Sequence, residues 1–198
     1  MSRRIEPVTA ENVADLPGPC SECTFWELGP GHSRSAGAGR KARWIERTRL
    51  DWGPCGFVAY VDDQPAGFVL YAPPAYVPRS AAFPTAPVSS DAVLLTALRV
   101  CPEQEGGGLA RVLIQAVAKD LVRRGVRAIE AYGSPGVACV ISTALLESVG
   151  FMMVRDHALT PRLRLDLRSA VSWREDMEGA LGRLVGVVRP YPMGARQV

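Results

Sequence analysis

The sequence has no apolar run long enough to cross a membrane and no segment that resembles a secretory leader. A transmembrane helix needs about 20 consecutive, predominantly apolar residues. The first residues, MSRRIEPVTAENV, carry positive charge, but the apolar stretch that follows such charge in a signal peptide is missing. We therefore expect a cytoplasmic protein with no membrane partner.

Cysteine is sparse and the net charge is low. The five cysteines are an odd number, whereas a small secreted protein built on disulfides usually has an even number. We therefore expect reduced thiols. The formal net charge of +3 is too small to indicate nucleic-acid binding by itself, although one local basic patch is enough to attract an acidic ligand.

The two most familiar phosphate-binding loops are also absent. Three consecutive glycines occur at Gly106–Gly108, but no Gly-Lys-Ser/Thr follows them, which excludes a Walker P-loop. The G-x-G-x-x-G fingerprint of dinucleotide-binding folds is missing, and strands and helices precede the glycines where such a fold would begin. A phosphate site in this chain must therefore be of another kind.

The chain of 198 residues is long enough for one domain with a sizeable core. The apolar pattern predicts the order β, α, α, β-hairpin, β, α, β, α, β, β, α. The run AVLLTALRV at 92–100 is almost continuously apolar, as in a strand covered on both faces, and a helix with an apolar stripe follows the glycines. The strand–helix–strand unit from 92 to 132 must be parallel and right-handed, and the hairpin must be antiparallel, so the sheet is mixed.

Two further helices are predicted towards the C-terminus. Ser134 as the N-cap, with a proline in the first helical position, predicts a helix that ends at Gly150. The capping box SWRE at 172–175 begins the last helix, and an extended tail follows it. We expect one domain over residues 1–167 and, packed on it, a C-terminal helix and tail over residues 168–198.

The glycine triplet lies where the buried strand gives way to the long helix. Glycine is costly in ordered backbone, so three in a row need a reason. Bare backbone lets a phosphate approach the unsatisfied N–H groups at the positive end of the helix. The alternative is a tight turn that needs glycine for a positive φ. We favour the anion site, because the triplet connects a buried strand to a long amphipathic helix.

The stretch from Val100 to Ala110, V-x-P-x-x-x-G-G-G-L-A, resembles the acetyl-CoA motif of the GNAT N-acetyltransferase superfamily. The segment LLESVGF at 145–151 resembles the family's second landmark, and the order of elements fits to about Leu167. The resemblance implies an α/β (α+β) fold: a mixed, mostly antiparallel, twisted sheet with a central parallel β-α-β unit, flanked by helices. It also implies transfer of an acetyl or short acyl group from acyl-CoA to a primary amine, by direct attack in a ternary complex.

The resemblance assigns acetyl-CoA to the strand end and the glycine loop. The strand bearing Leu98, Arg99 and Val100 would splay away from its neighbour and offer free backbone groups to the pantetheine arm. The residues implied around the pyrophosphate are Glu105, Gly106, Gly107, Gly108, Leu109, Ala110 and Arg111. Glu105 departs from the family pattern, which has Arg or Gln there, so we expect its carboxylate to point outward.

Near the reacting thiol, the resemblance implies Cys139 and Ser142, both on the helix that opens at Ser134. The tyrosine that usually protonates the leaving thiolate is replaced by Leu146, which cannot donate a proton. Ser142 or Cys139 would then hydrogen-bond the sulfur, or water would protonate it.

No single general base stands out in the sequence. The carboxylates that remain as catalytic candidates are Glu130 within a strand, Asp91 at the start of a strand and Glu27 in the first loop region. Each is more often structural or solvated, and a general base can act through water without touching the amine.

Cys20 and Cys23 have C-x-x-C spacing beside two aromatic residues. Three interpretations compete: packing in the core, a redox or reactive pair, and a zinc site completed by Cys55, Cys101 or His32. We favour packing and expect no metal.

The amine acceptor is not specified by the sequence. Its site would be walled by the segment CTFWE, the helix around Trp44, and the proline-rich loop with Tyr76, Arg79 and Phe83. A homodimer stays open. The alternative to an enzyme is a catalytically weak acyl-CoA-binding or sensing module whose cysteine pair responds to redox state or metal.

Overall fold

The computed structural model describes residues 2–32 and 39–167, which form one mixed sheet with helices on both faces. The helices are α1 (Arg40–Asp51), α2 (Leu109–Arg123) and α3 (Thr143–Ser148). The strands are β1 (Arg3–Pro7), β2 (Gly56–Val61), β3 (Gln64–Ala72), β4 (Ala92–Val100), β5 (Ala128–Ser134), β6 (Ile141–Ser142), β7 (Met152–Arg155) and β8 (Arg162–Asp166).

The strands follow the order β1-β2-β3-β4-β5-β8-β7, and β6 pairs with the end of β5. Neighbours along this order are antiparallel except β4 and β5, which are parallel and joined by α2. The predicted mixed, mostly antiparallel sheet around a central parallel β-α-β unit is therefore confirmed. None of the helices in the described ranges is both long and apolar enough to cross a membrane.

The strand β4 is buried on both faces, as its apolar run predicts. Val93, Leu95 and Leu98 pack into a cluster with the apolar stripe of α2. Leu94 packs on the opposite face, in a cluster with Phe25 and Trp26 of the N-terminal segment. Removing apolar surface from water stabilises the fold by about 25 cal/mol per Å². A strand that is buried on both faces gains this stabilisation twice, so β4 lies at the centre of the core.

A β-bulge interrupts β4 at Thr96. Leu70 in β3 pairs with Ala97, and the next residue, Tyr71, pairs with Leu95, so Thr96 is the extra residue. The Thr96 hydroxyl donates to the Leu70 carbonyl at 3.2 Å. A bulge bends its strand and redirects the side chains that follow it. Here it turns Ala97 to the face occupied by α1.

The predicted hairpin is present, and its connection is a two-residue turn. Asp62 and Asp63 both have positive φ, 47° and 63°. Asp is one of the residues that tolerate this conformation, and the turn's twist matches that of the flanking strands.

The prediction that a helix opens at Ser134 is wrong. β5 continues through Ser134, whose hydroxyl oxygen accepts the N–H groups of Gly136 and Val137 at 3.2 and 2.9 Å. The side chain thus closes a local turn with the same chemistry that would cap a helix. The helix itself, α3, begins at Thr143.

The predicted C-terminal helix and tail at 168–198 lie outside the described residues, as does most of the glycine- and serine-rich segment before α1.

Candidate functional site

The parallel strands β4 and β5 separate soon after they begin. They pair through Ala92–Leu94 and Ala128–Glu130. Beyond Leu94, β4 continues beside β3 to Val100, whereas β5 turns towards β8 and receives β6 on its other edge. No described strand pairs with this edge of β4 after Leu94. The opening can therefore hold an extended ligand that hydrogen-bonds to strand backbone. Leu98, Arg99 and Val100 follow the last residue of β4 that pairs with β5, in the region where the resemblance implied that this strand separates from its neighbour.

The glycine triplet closes the end of this opening. Gly106 and Gly108 both have φ of +76°, and Gly108 is the N-cap of α2. The need for glycine in a left-handed conformation is therefore real at both positions. A Cβ at either would meet nothing within 4 Å, so the space above the first turn of α2 is open. The geometry therefore fits a tight turn and also leaves room for an anion at the start of α2.

The residues around the triplet differ in exposure and in their contacts. Glu105 is exposed, which leaves its carboxylate room to point into solvent. Leu109 is buried against the core, while Ala110 is half-buried. The guanidinium of Arg111 donates to the Ser148 carbonyl at 3.2 Å, so Arg111 links the first turn of α2 to the last turn of α3.

A cavity of about 50 Å³ lies beside the bulge, on the face of β4 that is turned towards α1 and away from α2. Its apolar wall includes Trp26, Phe68, Leu70, Leu98 and Ile141. Its polar and thiol-bearing residues are Cys20, Cys23, Lys41, Thr96, Arg99 and Cys139. Leu98 borders both this cavity and the opening between the strands, so the two spaces meet at the same stretch of β4.

Cys139 is one of the sequence candidates that the fold brings to this cavity. It lies in a turn with φ of +67°, and its carbonyl accepts the indole N–H of Trp26 at 2.9 Å. Its sulfur is 3.7 Å from the sulfur of Cys23. Ser142 is exposed at the N-cap position of α3. Both residues therefore precede α3. The prediction that they lie within a helix that opens at Ser134 is wrong.

An aromatic stack covers the same side of the sheet. Trp26 stacks on Phe83 at a ring separation of 5.1 Å, and Phe83 stacks on Tyr132 at 4.2 Å. Arg79 donates from Nε to the Phe25 carbonyl. The segment CTFWE and the proline-rich loop therefore meet as the sequence implied. Tyr132 was not foreseen, because nothing in its strand pattern distinguishes a stacking tyrosine from an ordinary core residue.

The predicted helix wall around Trp44 joins this assembly. The Trp44 indole donates to the Tyr76 carbonyl at 2.8 Å. On the outer side of α1, a second cavity of about 340 Å³ is lined by Trp44 and by residues of both charges: Glu27, Arg40, Arg43 and Arg47.

Glu27 forms a buried ion pair between the two cavities. Lys41 donates from Nζ to Glu27 Oε1, and the side chains are 6% and 3% exposed, respectively. Glu27 Oε2 is buried without a hydrogen-bond partner among the described residues. Lys41 lines the smaller cavity and Glu27 the larger one. Lys41 was not foreseen as a site residue, because one lysine on a helix gives no signal in the sequence.

Glu130 is held in a different way. Its side chain is fully buried, with Arg162 at 3.1 Å from Oε2 and Arg164 at 3.2 Å from Oε1. The Ser89 backbone N–H donates to Oε2 at 3.1 Å. Both carboxylate oxygens of Glu130 are therefore occupied by charged or backbone donors. Arg164 also forms a two-point contact with Asp91 at 2.9 and 3.0 Å and lowers the pKa of that carboxyl.

Leu146 is fully buried in the core cluster that contains Leu98 and Phe151.

Cys55 is also fully buried, and burial raises the pKa of its thiol to about 12. Within residues 2–32 and 39–167, no three His, Cys, Asp or Glu side chains are grouped to hold a metal ion. The zinc interpretation of the C-x-x-C pair thus receives no support from this part of the chain.

Comparison with known proteins adds a family and a fold. The family model described as the acetyltransferase (GNAT) family matches residues 18–151. No curated protein matches the chain significantly.

Several solved structures have a similar fold. An N-acetyltransferase from Staphylococcus aureus Mu50 has a TM-score of 0.56 at 14% identity, covering 84% of this chain and 99% of that one. The PaiA N-acetyltransferase from Thermoplasma acidophilum, in complex with coenzyme A, has a TM-score of 0.53 at 14% identity, with the same coverages. A putative GNAT-family acetyltransferase from Desulfovibrio desulfuricans has a TM-score of 0.53 at 18% identity, again covering 84% and 99%.

Proposed function

Since the chain belongs to the acetyltransferase (GNAT) family, we propose that acetyl-CoA lies in the opening between β4 and β5 and that the amine enters from the α1 side. The protein transfers an acetyl group from acetyl-CoA to an amine. The PaiA N-acetyltransferase, which has a similar fold, was solved with coenzyme A, which supports coenzyme A as a ligand.

The observation that carries the proposal is the early separation of β4 from β5. A pantetheine arm is extended and amide-bearing, so it can hydrogen-bond to the strand edge that begins after Leu94. The pyrophosphate then reaches the open space above Gly106–Gly108, where the first N–H groups of α2 favour an anion. The thioester comes beside Leu98, next to the α1-side cavity.

In this arrangement the protein acts chiefly by positioning. The neutral amine attacks the thioester carbonyl, and backbone N–H groups of β4 stabilise the negative charge that develops on the carbonyl oxygen. The leaving thiolate is protonated by water or by the exposed Ser142 hydroxyl at the start of α3. Leu146 serves packing and takes no part in proton transfer.

Among the candidate bases, we assign Glu27 as the group that accepts the amine's proton through water. Its Oε2 is buried without a described partner, and its other oxygen holds Lys41 at the wall of the cavity. Glu130 and Asp91 are tied to arginines instead. Each oxygen of Glu130 already has a guanidinium partner, so neither is free to contact the water that carries the proton.

Gly108 provides the test of the acetyl-CoA site. Gly108→Asp and Gly108→Asn place side chains of nearly equal size at φ of +76°, a conformation that Asp and Asn tolerate better than most residues. The two variants therefore share any cost in folding, and the charge at the proposed pyrophosphate site distinguishes them.

For the unmodified chain, CoA at about 100 times its dissociation constant should add ~2.7 kcal/mol to the free energy of unfolding. The melting temperature should rise by roughly 5–10 °C. Gly108→Asp should remove most of this rise, whereas Gly108→Asn should retain most of it. Release of free CoA thiol from acetyl-CoA with a panel of amines measures the activity. A missing CoA effect, or equal responses of the two variants, would contradict the placement.

The cytoplasmic location and a homodimer stay predictions.

A further inference from the structure

The α1-side cavity collects three of the five cysteines, although they are far apart in sequence. Cys20, Cys23 and Cys139 all line it, and the sulfurs of Cys23 and Cys139 lie 3.7 Å apart across 116 positions of sequence. We propose that Cys23 and Cys139 are an oxidative modification site: they form a reversible disulfide that blocks the amine side of the acetyl-transfer site. The effect on activity rests on the function proposed above, while formation of the bond does not.

The geometry needs little movement. A disulfide has sulfurs about 2.05 Å apart, so the two thiols must approach by roughly 1.7 Å from their separation of 3.7 Å. Cys139 lies in a turn, and Cys23 lies outside the long strands and helices. Rotation of the side chains and small shifts of these segments can therefore close the distance without breaking a strand pair of the central sheet.

The two segments are already held against each other. The Trp26 indole donates to the Cys139 carbonyl at 2.9 Å, which keeps the turn of Cys139 beside the N-terminal segment. Cys139 has φ of +67°, a conformation uncommon for residues other than glycine, asparagine and aspartate. Backbone of this kind persists where the surroundings enforce it, and it is found most often at functional sites. Here it directs the sulfur towards Cys23.

The remaining cysteines are less suited to the bond. Burial raises the pKa of the Cys20 thiol, which lowers the share of reactive thiolate. Cys55 is fully buried. The thiol of Cys101 contacts the Pro65 carbonyl at 3.6 Å, beyond the far end of β4.

The chemistry requires a two-electron oxidant, and a peroxide supplies it. One thiol reacts with hydrogen peroxide to give a sulfenic acid and one water. The second thiol attacks the sulfenic sulfur, forming the disulfide and releasing a second water. Two thiols and one peroxide thus give one disulfide and two waters, and a dithiol reductant such as dithiothreitol reverses the reaction by exchange.

The bond would affect the two ligands differently. It crosses a cavity of about 50 Å³ and ties the N-terminal segment to the turn before α3, so it narrows the space next to Leu98. The glycine loop and the first turn of α2 lie on the other face of the sheet. We therefore expect the oxidised protein to bind CoA and to lose acetyl transfer.

The test treats the full chain with hydrogen peroxide and then measures three quantities. Peptide mapping under non-reducing conditions should find Cys23 joined to Cys139. Acetyl transfer should fall by about tenfold or more, since small displacements at a reacting centre have effects of this size, and dithiothreitol should restore it. The CoA-induced rise in melting temperature should persist. Recovery with dithiothreitol distinguishes the disulfide from oxidised methionine, because dithiothreitol does not restore a sulfoxide by thiol exchange.

Serine variants identify the residues, with each activity compared with that of the same variant before oxidation. Cys23→Ser and Cys139→Ser should both become insensitive to peroxide, whereas Cys20→Ser and Cys55→Ser should stay sensitive. A bond between Cys20 and Cys23, persistent sensitivity in Cys23→Ser, or a mapped Cys23–Cys139 bond with unchanged activity would overturn the proposal. Peptide mapping shows whether the Cys23–Cys139 bond forms even if no amine in the panel is acetylated. Failure of the disulfide proposal is therefore distinguishable from failure of the proposed function.

Discussion

Two buried carboxylates on the same side of the sheet, Glu27 and Glu130, have surroundings that suit opposite tasks. Glu130 has a charged partner on each oxygen and a backbone N–H besides. Glu27 has one cation, Lys41, on one oxygen and no described partner on the other. A carboxylate with partners on both oxygens is held in place. A buried oxygen without a partner costs free energy, and it can accept a hydrogen bond from water or substrate. Burial alone therefore does not distinguish a structural carboxylate from a candidate base.

Glu130→Gln should have the largest effect, and it should be on stability. Neutralising the carboxylate leaves the charges of Arg162 and Arg164 with reduced compensation at a site that is 0% exposed. Breaking a buried ion pair costs about 3 kcal/mol or more, which lowers the melting temperature by roughly 6–12 °C for a chain of this size. Calorimetry measures the change. A strong loss of turnover with unchanged melting would reverse the assignment and make Glu130 the base.

Glu27→Gln should lower kcat by about a hundredfold, because loss of a general base has effects of this order. The CoA-induced rise in melting temperature should remain, since the glycine loop is on the other face of the sheet. Steady-state kinetics with an amine that the unmodified chain acetylates measures kcat. Thermal unfolding with and without CoA measures the rise in melting temperature. Unchanged kcat would show that no protein carboxylate at this position takes the proton.

Lys41→Met tests the same pair from its other side. Without the cation, the buried Glu27 carboxylate loses the one charged contact that holds it in place. We therefore expect kcat to fall by about tenfold or more, because a small displacement of a catalytic group has an effect of this size. The CoA-induced rise in melting temperature should be kept. Steady-state kinetics and thermal unfolding with CoA measure the two effects, and a lower melting temperature with unchanged kcat would argue that Lys41 is structural.

Asp91→Asn should have the smallest effect. Its carboxyl is partly exposed and its hydrogen bonds with Arg164 lower its pKa. The ion pair therefore stabilises the fold above the ordinary pKa of about 3.8, and the gain is lost as the pH falls through the lower, folded-state value. At pH 7 the cost should be under about 1 kcal/mol, as for exposed pairs. Denaturant unfolding near pH 2 should show no difference from the unmodified chain, and a persistent difference would mean that the side chain contributes by packing.

Much of the local structure at the proposed acetyl-CoA site could be predicted from the sequence, because its parts are contiguous. Strand, glycine loop and helix follow one another from Ala92 to Arg123, and each is specified by local preferences: a doubly buried apolar run, glycine at positive φ, and an apolar stripe with helical spacing. The same local reasoning failed at Ser134, since one serine hydroxyl can cap a helix or close a turn, and the choice depends on how far β5 continues.

The walls of the proposed acceptor site were predicted in outline and not in their contacts. The aromatic segment and the proline-rich loop were expected to meet, but Glu27 with Lys41, Trp26 with Tyr132, and Cys23 with Cys139 were not paired in advance. These partners are 14, 106 and 116 positions apart in the sequence. Alternating or helical patterns tell which face a residue occupies, but they carry no information on which distant segment lies opposite.

The sequence by itself determined the hairpin, the parallel unit of β4, α2 and β5, and the glycine loop at the start of α2, because backbone sterics and burial act over a few residues. Tertiary structure alone decided where β4 leaves β5, which carboxylate is fully paired, and which thiols come within 3.7 Å. The pairing of β5 with β8 brings two arginines to Glu130, and the packing of the N-terminal segment against the turn of Cys139 brings the thiols together. They result from closing long loops around a close-packed core, where shape complementarity between distant segments selects one arrangement.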